Sequence, residues 1–190
     1  LLISVRSGSA MSMPGMMDTI LNLGLNIDTL KGLIAQTGNE RFGWDAYRRF
    51  IQLFGKVALG VSDDAFDDEF ESVKTKAGVT QDVALTARDL REISDRFLEV
   101  VERETGKPFP DDPMDQLEIA IKAVFGSWMG KRAVDYRREF NITQEMANGT
   151  AVNVVTMVFG NLGEDCATGV GFTRYPDTGE NKLFGEYLVN

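Results

Sequence analysis

The sequence predicts an α+β fold: an antiparallel sheet drawn from both ends of the chain, with a helical sub-domain inserted between them. Three observations lead there. Strand-like apolar runs occupy residues 1–5 and recur after about 148. From about 27 to 140, apolar residues instead repeat at three- and four-residue steps, the period of a half-buried helix. Glycine, asparagine and aspartate punctuate the final segments at the spacing of hairpin turns.

In order, residues 1–25 read as a strand, a loop and a second short extended piece. Leu1-Leu2-Ile3-Ser4-Val5 ends in the cation Arg6, then breaks into Ser7-Gly8-Ser9. Pro14-Gly15 is a ready turn, and around it stand Met11, Met13, Met16 and Met17, four of the eight methionines. Trp44, Tyr47, Ile51, Phe54 and Ala58 make the stripe of a helix over about 39–59. Phe66, Phe70 and Val73 repeat the spacing over about 62–75. Thr86 caps the next helix, which buries Leu90, Ile93, Phe97 and Val100 and stops at Gly106 and Pro108. Asp112 caps a further one with the stripe Met114, Leu117, Ile121, Val124 and Trp128. The period then switches: 150–161, 169–175 and 182–190 read as closely spaced strands, which the N-terminal strand joins. The expected division is a lobe of 1–26 with 148–190 and a helical insert of 27–147.

Composition narrows the function. At 190 residues the chain fits one domain, or one with an inserted sub-domain. Leu1 stands where a Met would start a chain, and the sequence begins inside a strand, so the expectation is a piece of a longer protein. The net charge of −9 argues against nucleic acid or an anionic membrane as the main partner. No apolar run approaches a membrane span and no targeting segment is visible. One cysteine, Cys166, excludes an internal disulfide and suits a reducing, cytoplasmic setting. The absence of histidine removes imidazole acid–base chemistry, His metal ligands and phosphohistidine from this chain.

Three stretches could carry chemistry. Arg6 before Ser7-Gly8-Ser9 offers a forked donor beside hydroxyls and amides, which suits a phosphate; a strand that merely ends in arginine explains the same residues. Residues 160–174 join a glycine- and acid-rich turn to Thr168-Gly169, where small residues let backbone approach a ligand; a plain hairpin explains this equally. The acidic run 63–69 fails the calcium-loop pattern at Ala65, Phe66 and Asp68, and Phe66 with Phe70 makes it the start of an amphipathic helix.

The words of the sequence go further. SVRSGSAMSMPGMMDTILNLGLN (4–26) closely resembles the ATP-binding domain of the pyruvate, phosphate dikinase family, and so do 41–61, 106–142 and 149–190. SMPGMMDT is the most specific phrase; the related phosphoenolpyruvate synthases share the V-R-S start but lack it. The resemblance implies an incomplete ATP-grasp domain. It implies a full enzyme, a homodimer, that phosphorylates a histidine on a separate swivelling domain from ATP and passes the group to pyruvate. The products are phosphoenolpyruvate, AMP and diphosphate.

By the same resemblance Arg6 is the ATP-phosphate arginine, with Ser7 beside it. Met157-Val158 match the adenine hinge and Thr168-Gly169 a phosphate-proximal turn. Arg49, Arg132 and Glu186 lie in segments used for ATP-site support or for docking the swivelling domain. Val155-Thr156 replace the family's usual Gln-Ala before the hinge. The resemblance places Mg²⁺ with the ATP, its ligands after Asn190, and a glycine-rich basic segment before Leu1. A fragment inactive alone follows, and a non-catalytic interaction module of the same fold is the alternative.

Overall fold

Strand β1 (Ile3–Ser9) is the centre of the architecture, and a computed structural model describes it together with the rest of residues 1–189. β1 pairs antiparallel with β2 (Thr19–Leu23) on one side and with β3 (Thr150–Thr156) on the other, giving the order β2-β1-β3. Opposed to the loop expected after Arg6, Ser7, Gly8 and Ser9 remain in the strand, opposite Val152, Ala151 and Thr150. The ladder to β3 holds them extended; the ladder to β2 stops at the Arg6–Thr19 pair. Nearer the start of β1, β2 carries an extra residue between its pairs with Ile3 and Val5. Asn22 stands there with φ 60°, and its Nδ2 donates to the Ala46 carbonyl.

Between β1 and β2 the chain turns at Pro14-Gly15, where Gly15 takes φ 73° and the Met16 amide donates to Met13 O. Proline pre-sets the first corner and only glycine takes the second without strain. Met13 is buried beneath it.

Six α-helices lie between β2 and β3 among the described residues: α1 (Ile27–Thr37), α2 (Glu40–Leu59), α3 (Asp63–Ala77), α4 (Ala87–Thr105), α5 (Pro113–Gly126) and α6 (Lys131–Glu139). Their ends follow the local chemistry. Asn26 and Thr29 form a capping box on α1, Thr86 and Asp89 another on α4, and Asp112 caps α5 through the Met114 and Asp115 amides. The expected stripes of α2, α3 and α4 form one core: Phe50, Phe54, Phe66 and Phe97 are fully buried, and Phe66 meets Phe97 edge-on at 4.9 Å. α5 departs from expectation. Met114 is 69% exposed, and the buried line is Gln116, Ala120 and Val124. That line of modest side chains seats α5 close on the sheet, beside β1 and β2.

By contacts the chain forms two units, Leu1–Met157 and Val158–Asn190. The second holds the antiparallel pair β4 (Ala167–Phe172) and β5 (Phe184–Val189). Among the described residues the strands expected to form one sheet therefore form two: β3 is taken up by β1, while β4 and β5 pair with each other. Asn190, the last residue of the expected 182–190 strand, lies outside the described residues. No helix among the described residues is long and apolar enough to cross a membrane.

Candidate functional site

Successive side chains on a strand point to opposite faces. Val5 is fully buried in the core, so Arg6 emerges on the opposite, open face of the sheet, with Ser4 and Gly8 as its neighbours along β1. Across the ladders stand Thr19 of β2 and Asn153 of β3. Arg6 Nε donates to Ser4 Oγ at 3.0 Å, which fixes the plane of the guanidinium. Ser4 itself is buried and donates to the Val155 carbonyl. No carboxylate among the described residues pairs with Arg6, so its two terminal nitrogens face solvent as free donors. In a chain of net charge −9, an exposed cation without a counter-ion is a standing invitation to an anion.

Gly8 has a steric task on this face. A Cβ there would stand 2.7 Å from Asn153 Nδ2, so the missing side chain is what lets the carboxamide lie beside Arg6. Thr19 and Asn153 escaped the sequence reading because only the register of three strands brings them beside Arg6. Ser7 is on the other face and is the first residue of β1 past the end of the β2 ladder.

At the end of β3, the Met157 amide donates to the Leu2 carbonyl at 2.9 Å and so continues the ladder. Its N–H is therefore already used. Val158, 89% exposed, makes no backbone hydrogen bond among the described residues.

Within the second unit, Thr168 and Gly169 belong to β4, opposite Leu188 and Tyr187, and not to a turn. Pairing with β5 extends them; the turn precedes them, over 160–166. Gly160 sits so close that a Cβ there would fall 1.9 Å from Thr168 Oγ1. Gly169 likewise leaves no room for a Cβ, which would meet the Glu186 carbonyl at 2.9 Å. Glu186 pairs with Val170, its side chain exposed.

The remaining two candidates are already ion-paired, Arg49 within its own helix and Arg132 across a long sequence separation. Arg49 on α2 is exposed and pairs with Asp45 at 2.8 Å, at the rim of a groove of about 490 Å³ shared with Leu21, Gln52 and Lys56. Arg132 on α6 pairs with Asp18 at 2.8 Å, and the Asp18 amide donates to Ser127 Oγ, so the Met-rich segment is tied to the helices at its far end. No group of three or more carboxylates or thiols among the described residues is placed to hold a metal ion.

Comparison with known proteins adds the context. The family model for the pyruvate phosphate dikinase AMP/ATP-binding domain matches residues 1–189. Pyruvate, phosphate dikinase of Entamoeba histolytica is 62% identical across the whole chain, which covers 22% of that protein. The Giardia intestinalis enzyme of the same name is 55% identical over 192 aligned residues, again 22% of its length. That of Rhizobium meliloti is 52% identical over 190 residues, 21% of its length. The chain thus spans about a fifth of the relatives it matches.

Proposed function

Since this chain belongs to the family of pyruvate phosphate dikinase AMP/ATP-binding domains, we propose that it is the ATP-gripping part of a phosphotransferase and that Arg6 is its phosphate contact. The observation that carries this is the guanidinium on the open face of β1: exposed, held in plane by Ser4, and without a carboxylate among the described residues. A forked cation so held binds phosphate oxygens in a fixed geometry, which a lysine at the same place would not reproduce. Small neighbours, Gly8 and Ser4, leave the approach clear, and main-chain groups of Ser7 lie where β2 has ended.

Val158, with its free backbone, suits the adenine edge better than Met157, which contributes its apolar side chain. Thr168 and Gly169 suit a phosphate by the Thr168 hydroxyl and by their place at the start of β4, just after the turn over 160–166. Arg49, Arg132 and Glu186 serve site support or docking of a swivelling domain. The full enzyme would act in the cytoplasm as a homodimer. It would bind ATP with Mg²⁺, transfer a phosphoryl group to a histidine of another domain and deliver it to pyruvate. The ATP-grasp architecture is part of this proposal, supported by the α+β layout and its antiparallel sheets.

The test is calorimetric titration of the full-length protein with MgATP, comparing wild type, Arg6→Ala and Arg6→Lys. Loss of a charge-assisted contact weakens binding roughly ten- to a hundred-fold, with the lysine variant recovering only part of it. Unchanged affinity in a folded Arg6→Ala protein overturns the assignment.

A further inference from the structure

Asn148-Gly149 is the one Asn-Gly pair in the sequence, and the fold leaves it open. It lies in the irregular segment between α6 and β3, with Asn148 exposed and Gly149 half-buried. Both flanks are fixed. Ala147 is buried and its amide donates to the Thr143 carbonyl. Thr150 opens β3 opposite Ser9, and its Oγ1 accepts from the Gly8 amide at 3.1 Å. The pair between these anchors is held by no bond of its own: among the described residues the Asn148 carboxamide has no hydrogen-bond partner and the Gly149 amide has no acceptor. A Cβ built on Gly149 would meet no atom within 4 Å, so the space over that backbone is empty as well. Other asparagines precede side chains that crowd the following amide, such as Ile142, Val154 and Leu162, and Asn26 and Asn39 spend their carboxamides on capping helices.

A free amide beside an unshielded carboxamide, one residue apart and with no side chain between them, favours reaction within the chain over reaction with solvent. We propose that Asn148 is a self-modification site, at which the chain converts its own asparagine to aspartate and isoaspartate. The Gly149 nitrogen loses its proton to hydroxide and attacks Asn148 Cγ. A Cγ–N bond to Gly149 forms, the Cγ–Nδ2 bond breaks, and Nδ2 leaves as ammonia. Water then opens the resulting five-membered imide at either carbonyl, giving the α-linked or the β-linked aspartyl chain; nothing is oxidised or reduced. Either product adds a negative charge. The β-linked form also routes the main chain through an additional methylene, two residues before Thr150, so the end of the sheet that joins Thr150 to Gly8 and Ser9 loosens in converted molecules.

The test holds the full-length protein at mildly alkaline pH beside the free peptide Met-Ala-Asn-Gly-Thr and follows both by peptide mapping that separates aspartyl from isoaspartyl products. An exposed loop that opens at little cost should convert within about tenfold of the peptide's rate. Gly149→Ala crowds the attacking nitrogen and should slow conversion by at least about tenfold. In the converted fraction, hydrogen exchange at the Gly8 amide should be faster than in fresh protein; equal protection in the two fractions overturns the link to the sheet. Residue 148 intact when the peptide is consumed, or a folded Gly149→Ala protein converting as fast as wild type, overturns the proposal.

Discussion

Gln116 invites the most direct challenge to the packing described above. Its side chain is wholly buried at the join of three segments. Oε1 accepts from the Gly24 amide at 3.0 Å, and Nε2 donates to the carbonyls of Leu25 at 3.0 Å and Pro110 at 2.9 Å. Gln116→Leu keeps the bulk and deletes all three bonds, leaving one amide and two carbonyls without a partner. Each such orphan costs about 1–3 kcal/mol, partly offset by relaxation and by the gain of an apolar side chain. A net loss of about 3–5 kcal/mol follows, a large part of a domain's usual 5–15. Urea unfolding followed by tryptophan fluorescence reads it, since Trp44 lies in the core. The midpoint should fall by roughly 1.5–3 M with an unchanged slope, and the Gly24 amide should exchange faster. A loss below about 1 kcal/mol with Gly24 still protected would refute the reasoning, because the three bonds would then be worth no more than bonds to water.

Two further outcomes are expected. Gly55→Val puts a Cβ 2.6 Å from Phe66 Cζ and 3.4 Å from Val101 Cγ2, where α2 meets α3 and α4. The overpacked variant should lose about 2–3 kcal/mol in the same unfolding experiment. Tyr47 gives the alkaline limb of stability its shape: burial, then the carboxylates Asp111 and Asp95, raise its pKa from 10.0 to about 12. The unfolded chain releases that proton first, so the contribution is complete below pH 10 and declines as pH rises toward 12. Stability measured across that window should fall less steeply in Tyr47→Phe than in wild type.

Much of the helical region was legible in the sequence because its apolar side chains recur with one period. The stripes of α2, α3 and α4, the Thr86 and Asp112 caps and the stop at Gly106 all stand where the residues imply. α5 was misread for a physical reason. Counting only apolar residues, its buried face looks centred on Leu117 and Ile121, whereas Gln116 holds the centre by satisfying backbone groups that no sequence pattern reveals. The strands were legible as strands but not as a sheet. Nothing local in 150–156 or 167–172 says which partner each will take, so the split into β2-β1-β3 and β4-β5 could not be read. The same gap separates Arg6, which its motif exposes, from Asn153 and Thr19, which only the ladder brings beside it.

The placement of β1 also sets a timetable. Its β2 partner begins ten positions after β1 ends, but β3 arrives only after all six helices: the bond from Ser4 Oγ to the Val155 carbonyl spans 151 positions. Closing so long a loop in an unfolded chain costs on the order of 4 kcal/mol in entropy. Helices that form early shorten that loop by bringing its ends together, so the sheet is a late event whose rate is set by the helices. On a ribosome the strand that carries Arg6 would wait with one edge bare while more than a hundred residues are made, open to any other chain with a strand to offer. Mutations deep in the helices can thus reduce the yield of folded protein through aggregation, even where they leave the finished sheet untouched.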